Sequence, residues 1–152
     1  MQLNFEKFNF QLKSNNNGQK LIFDPIRHKH VVLTPEEWVR QHVIHQLIKN
    51  GFPIGRISVE RTLPKTKKRY DLVFYDSLGQ PKLLVECKAP SVPITQKTLT
   101  QVTSYVQHLD SPIILITNGL QHITILRTNN NFKIVNDFPH FSEEKNVFLP
   151  PN

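Results

Sequence analysis

Two stretches, Tyr70-Asp71-Leu72-Val73-Phe74-Tyr75 and Lys82-Leu83-Leu84-Val85-Glu86-Cys87-Lys88, decide how this chain is read. Both are runs of β-branched, aliphatic and aromatic residues, and Ser77, Leu78 and Gly79 lie between them as turn residues, so they predict a β-hairpin. With a loop over Ser77 to Gln80, Asp76 faces Pro81 and the register carries Asp71 opposite Glu86. Side chains alternate along a strand, so Glu86 and Lys88 share a face and Cys87 points the other way into the core. Two carboxylates and an ammonium then meet on one patch of an otherwise apolar hairpin.

Like charges opposite each other destabilise a strand pair, and charges at the edge of a core need a partner or a metal. A hard cation such as Mg²⁺ resolves the conflict, because it binds through one or two carboxylates and keeps waters for a substrate. It can activate water and stabilise charge on a phosphoryl oxygen, with Lys88 beside it to orient the water or offset phosphate charge. The spacing Glu-x-Lys alone is weak, since it recurs at Glu143 and Lys145. The competing reading is a surface ion pair between Glu86 and Lys88 on a solvated sheet face. The apolar run before Glu86, and Asp71 opposite it, favour the metal site.

Working outward, Thr34-Pro35-Glu36-Glu37 is a helix start: Thr34 as cap, Pro35 at the first helical position, acids in the first turn. Val39, Val43 and Leu47 form the apolar stripe and Gly51 ends the helix. Ile57 to Leu63 precedes the hairpin as a further strand. A second helix is expected from about Thr95 to Leu109, with Leu99, Val102, Val106 and Leu109 on one face. Pro112 to Thr117 reads as a buried strand, and Ile123 to Leu126 with Phe132 to Val135 as a closing hairpin. Ahead of the first helix, alternating Phe8, Phe10 and Leu12, then Leu21 to Phe23 and His30 to Leu33, suggest short strands. The expected organisation is a β-rich extension over 1–33, a core over 34–138 and a loosely held tail over 139–152. The fold class is α/β: a central mixed sheet flanked by helices.

The chain has 152 residues, 38% hydrophobic, a formal charge of +7 and one cysteine. That suffices for one globular domain. The basic charge attracts polyanions, nucleic acid being the commonest. Neither a membrane span nor a secretory signal is read, and the lone Cys87 fits a reducing cytoplasm. Arg61, Lys65, Lys67, Lys68 and Arg69 crowd one turn just before Asp71, where they could grip phosphates or simply be solvated. Arg27, His28, Lys29 and His30 make a weaker basic turn. His42 and His45 are read as surface histidines. No Gly-x-x-x-x-Gly-Lys-Ser/Thr occurs, so no nucleoside-triphosphate site or helicase motor is expected.

Asp71 followed by Glu86-Cys87-Lys88 at the end of an apolar strand resembles the PD-(D/E)XK nuclease signature. Gln101-Val102-Thr103-Ser104-Tyr105 matches the Gln-x-x-x-Tyr motif of RecB-like nucleases and of type I restriction R subunits. Leu33 to Gln41 resembles the first helix of proteins related to the R-subunit N-terminal domain. The resemblance spans Phe23 to Leu126, and Tyr70 stands where the signature has proline. It implies a restriction-endonuclease-like fold and an Mg²⁺- or Mn²⁺-dependent nuclease, with DNA favoured. It also implies Asp71 and Glu86 as metal ligands, the backbone carbonyl of Cys87 as a third, and Lys88 as the catalytic lysine. Glu36, ahead of Glu37, is implied as a helix-borne acid supporting the metal, and Gln101 and Tyr105, one turn apart on a helix, as flanking the site. The alternatives are a catalytically silent module of the same fold that binds nucleic acid or a partner, and an interaction domain whose Phe-rich N-terminal hairpin pairs with another subunit. Assembly as a homo-oligomer stays open.

Overall fold

A computed structural model describes residues 1–64, 67–106, 113–128 and 131–150. Among these, eleven strands and two α-helices follow one another as β1 Leu12–Ser14, β2 Lys20–Asp24, β3 Lys29–Val32, α1 Pro35–Lys49, β4 Ile57–Thr62, β5 Arg69–Tyr75, β6 Pro81–Cys87, α2 Gln96–Val106, β7 Ile113–Thr117, β8 His122–Thr128, β9 Asn131–Val135, β10 His140–Ser142 and β11 Asn146–Phe148. The central sheet has six strands in the order β4-β5-β6-β7-β8-β9. Only β6 and β7 run parallel, and α2 joins them. The mixed sheet expected from the sequence is therefore present.

Both sheet faces are buried, which is why its middle strands read as nearly continuous apolar runs. Leu72, Phe74, Leu83, Val85, Cys87, Ile113 and Leu115 pack with Val39, Val43, Ile44 and Leu47 of α1. The alternate residues Val73, Leu84, Ile114, Ile116 and Ile125 pack on the other side with Val102 of α2. Helix α1 starts as its sequence demands: Thr34 Oγ1 accepts from the Glu37 amide at 3.0 Å. Gly51 follows it with φ +98°, a left-handed conformation, and a side chain there would collide with the Phe141 carbonyl.

Three regions depart from the sequence reading. Phe8 and Phe10 lie outside any strand; with Phe5 they cover the outer face of α1, stacking on Trp38, His42 and His45. That places the N-terminal phenylalanines on their own chain. It also makes His42 buried, its Nδ1–H donating to the Trp38 carbonyl at 2.8 Å. Burial, aided by His45 nearby, lowers its pKa. The tail is not loose: β10 and β11 pair, and Phe141 enters the core against Phe52 and Phe74. Arg56 covers the Phe74 and Phe141 rings and pairs with Glu143. Phe141 in β10, with Val147 of β11 beside the same cluster, anchors this segment, which its polar composition conceals. Leu109 and Pro112 lie outside the described residues.

Candidate metal and phosphate site

The hairpin register is close to the expected one, reached by a different route. Tyr75, not Asp76, pairs with Pro81, and a bulge at Lys82 restores Phe74↔Leu83, Val73↔Leu84 and Leu72↔Val85. Asp76 closes the turn, its Oδ1 accepting from the Leu78 and Gln80 amides at 2.9 Å each. The ladder then stops one pair short of Asp71 and Glu86. There β6 continues along β7, with the Lys88 amide donating to Thr117 O at 2.8 Å, and β5 parts from it.

Asp71 fills the split. Its Oδ2 accepts from the Cys87 amide at 2.7 Å, standing where a neighbouring strand's carbonyl would otherwise lie. Its carboxylate is thereby fixed against the backbone between Glu86 and Lys88. On β4, Glu60 has φ +54° and drops out of the ladder between Val59↔Leu72 and Arg61↔Tyr70, an irregularity beside the same split.

Glu86 is 8% exposed. Its Oε1 is buried without a hydrogen bond, and Lys68 Nζ is 3.5 Å away. Burial raises its pKa, with Asp71 adding to the rise and Lys68 and Lys88 opposing it. Glu36, at the start of α1, is half exposed and its pKa is raised too. There burial leads and Asp71 repulsion follows, against Arg40 and Lys88. Asp71 and Lys88 are thus neighbours common to Glu36 and Glu86, which come from different elements. The Cys87 thiol is buried and its pKa is pushed well up, first by burial and then by Asp71, so it is neutral and no nucleophile.

Glu37 lies elsewhere. Its carboxylate accepts from Arg27 Nη2 at 2.6 Å, Arg40 Nη1 at 2.9 Å and Gln41 Nε2 at 3.0 Å. Arg40 Nη2 in turn donates to Asp71 Oδ1 at 2.9 Å. Asp24 closes the far end, accepting from Arg27 Nε at 2.8 Å and Gln41 Nε2 at 2.9 Å. Burial pushes the Asp24 pKa up, but the Arg27 and Gln41 bonds outweigh it and the net shift is down. A continuous chain of ion pairs therefore runs Asp24–Arg27–Glu37–Arg40–Asp71. The sequence does not single out Asp24, Arg40 or Gln41, and Arg27, read in a basic turn, instead pairs inward with Asp24 and Glu37. Arg40 could have been found from its phase, since Glu37, Arg40, Ile44 and Leu47 follow helical spacing and are all buried.

Of the remaining expected site residues, Gln101 is exposed on α2, and no described contact joins its side chain to Asp71 or Glu86. The side chain of Tyr105 lies outside the described residues, as does Lys65. Arg61, Lys67 and Arg69 are exposed around the β4–β5 turn. Lys68 turns inward, to Glu86 and over the Tyr70 ring at 5.3 Å. Among the described residues no three His, Cys, Asp or Glu side chains converge closely enough to form a metal-ligating set. Among them, too, no helix is long and apolar enough to cross a membrane.

The model of the family described as type I restriction enzyme R protein N terminus matches residues 35–139. A solved structure that resembles the chain is a fragment assigned as an HsdR subunit of a type I restriction enzyme from Vibrio vulnificus YJ016. The two share 21% identity with a TM-score of 0.54, over 71% of this chain and 24% of the other, a likeness of fold. The matched part thus spans about a quarter of that fragment's length. None of the curated proteins matches the chain. The family match takes in α1, the β5–β6 hairpin and α2, and the chain belongs to the family of type I restriction enzyme R protein N termini.

Proposed function

We propose that this domain is a divalent-metal-dependent nuclease acting on DNA, with Asp71, Glu86 and Lys88 at its centre. The observation that carries the reading is the 2.7 Å bond from the Cys87 amide to Asp71 Oδ2, which ties one acid to the backbone between the other acid and the lysine. Glu86 Oε1, buried and met among the described residues only by the Lys68 ammonium at 3.5 Å, is an oxygen suited to a hard cation. Mg²⁺ or Mn²⁺ would be held by Asp71, Glu86 and the Cys87 carbonyl, with Glu36 reaching it through water. Such an ion would supply an activated water and charge stabilisation on a phosphoryl oxygen. Lys88 would orient the attacking water and offset charge on the phosphate. Arg61, Lys67 and Arg69 would hold flanking phosphates. The relatives' description as parts of restriction enzymes supports DNA as the substrate.

A second reading, a module of the same fold that binds without turnover, is favoured by one observation. Both Asp71 oxygens already have donors, Arg40 and the Cys87 amide. The two readings separate on one preparation of folded protein, assayed on several DNA substrates with Mg²⁺, with Mn²⁺ and with EDTA. The nuclease reading expects metal-dependent cleavage that collapses by at least ~100-fold in Asp71→Asn and Lys88→Ala. It also expects metal-free DNA binding by Asp71→Asn to hold or improve, because a negative charge near phosphate is removed. Wild-type protein that binds DNA yet never cuts it would sink the nuclease reading and leave the binding module.

A further inference from the structure

Arg40 is the most heavily engaged cation of the site, and no step of the proposed mechanism uses it. It is 5% exposed, and its guanidinium lies among four carboxylates: Asp71 and Glu37 at 2.9 Å, Glu60 at 3.4 Å and Glu36 at 3.5 Å. Its Nε is buried with no hydrogen-bond partner, so the two Nη groups alone fix its direction. They divide the work: Nη1 faces Glu37 and Glu60, and Nη2 faces Asp71 and Glu36.

Each Asp71 oxygen accepts one hydrogen bond, Oδ2 from the Cys87 amide, which the strand holds in place, and Oδ1 from Arg40, a side chain that can move, so Oδ1 is the oxygen more readily freed for a cation. A guanidinium and a divalent cation repel each other, so each weakens the other's hold on a shared carboxylate oxygen in a partly buried site. Arg40 can yield Asp71 without being stranded. Glu37 remains, itself clamped by Arg27 at 2.6 Å and Gln41 at 3.0 Å, and Glu60 stands beside it.

We propose that Arg40 is a positioning residue that holds Asp71 in the absence of metal and competes with a divalent cation for its Oδ1, pivoting on Glu37 when the cation enters. This rests on the reading of Asp71 as a metal ligand. Arg40 then sets the metal affinity of the site, and Glu37 sets the strength of Arg40's competition. The two substitutions therefore act in opposite directions. Arg40→Gln removes the competitor and tightens cation binding. Glu37→Gln weakens the anchor, leaves Arg40 to Asp71 and loosens cation binding. Arg40→Lys keeps the charge but, as a point ammonium, cannot bridge Glu37 and Asp71 with two separate nitrogens, and it falls between wild type and Arg40→Gln.

The test is titration of the full chain with Mn²⁺ alone, free Mn²⁺ being counted by its paramagnetic resonance signal, on preparations verified as folded by circular dichroism. Arg40→Gln is expected to bind Mn²⁺ about tenfold more tightly than wild type and Glu37→Gln several-fold more weakly, with Asp71→Asn abolishing the site. Should Arg40→Gln fail to fold, the fall in Glu37→Gln against wild type, and the intermediate affinity of Arg40→Lys, carry the same test. Equal affinity in wild type, Arg40→Gln and Glu37→Gln, or weaker binding by Arg40→Gln, overturns the competition while leaving Asp71 as a ligand. Absence of Mn²⁺ binding from every protein overturns the ligand reading itself, and the competition with it.

Discussion

Replacing Glu37 by alanine should be among the most damaging single changes in α1, although Glu37 sits in a first helical turn where acids are commonplace. Glu37 is 8% exposed and its carboxylate receives three donors, from Arg27 at 2.6 Å, Arg40 at 2.9 Å and Gln41 at 3.0 Å. Alanine leaves two guanidinium groups and an amide facing a void. Removing one partner of a buried ion pair costs about 3–5 kcal/mol, because the other charge stays buried and unpaired. Arg40 keeps Asp71 and the Arg27 side chain is 20% exposed, so water and the surviving pair recover part of this. The lower end, about 3 kcal/mol, is expected. In a domain of this size that lowers Tm by about 6–12 °C, against a total stability of about 5–15 kcal/mol. Glu36→Ala, one residue away, is the control. Its side chain is 47% exposed and 3.5 Å from Arg40, a geometry that contributes about 0–1 kcal/mol. Urea unfolding monitored by circular dichroism reads both, with a lowered midpoint at unchanged slope marking a loss of stability. A Glu37→Ala protein within about 1 kcal/mol of wild type, or a larger loss in Glu36→Ala, would refute the ion-pair chain as a stabilising element.

DNA binding should weaken steeply with salt, and Lys67→Ala with Arg69→Ala should lower the log–log slope by about 0.9 for each phosphate no longer neutralised, as read by fluorescence anisotropy. An unchanged slope would remove the β4–β5 turn from the binding surface. Lys68→Ala should act differently from these neighbours, because it deprives Glu86 of its nearest cation: the effect should appear in metal binding more than in the salt slope. His42 has a lowered pKa, so the unfolded chain binds the extra proton first and stability falls as pH drops below the unfolded value near 6.5. Its contribution is complete above that value, and His42→Gln should flatten the fall in Tm between about pH 7.5 and about pH 5.5. A wild type with no fall across that window would contradict the buried neutral imidazole.

Legibility of the sequence varied with what each segment's pattern was for. The β5–β6 hairpin was readable because apolar strands between turn residues leave few registers that bury both faces. The loop was misplaced by one residue and the bulge at Lys82 compensated for it, a pairing that depends on backbone geometry and leaves no side-chain signature. The splitting of β5 from β6 at Asp71 was equally invisible, since it follows from Asp71 replacing a ladder carbonyl at Cys87. Alternation at Phe8 and Phe10 misled because a period of two arises in any extended segment laid on an apolar surface, here the Trp38–His42–His45 face of α1. Arg40 is hidden in the sequence because a basic residue beside the apolar stripe of α1 reads as solvated until its acidic partners are placed, although its buried position repeats with the apolar ones.

The chain of ion pairs also bears on where the site-bearing unit begins. The family match starts at residue 35, and the composition of residues 1–33 reads as an extension. Yet Glu37, which anchors Arg40, takes its shortest bond from Arg27, and Arg27 is held by Asp24 at the end of β2. Asp24 is wholly buried, its Oδ1 also accepting from the Ile26 and Arg27 amides at 2.7 and 2.8 Å, so the turn after β2 is built around this acid. The small β1–β3 sheet therefore supplies the fixed end of a line of alternating charges whose other end is Asp71. Cutting the chain at Thr34 would keep Asp71, Glu86 and Lys88 and still change the site, because Glu37 would lose Arg27, and Arg40, on a less firmly held Glu37, would be free to lean on Asp71 differently. The electrostatic boundary of the site lies at β2, some ten residues ahead of the boundary that the sequence pattern suggests.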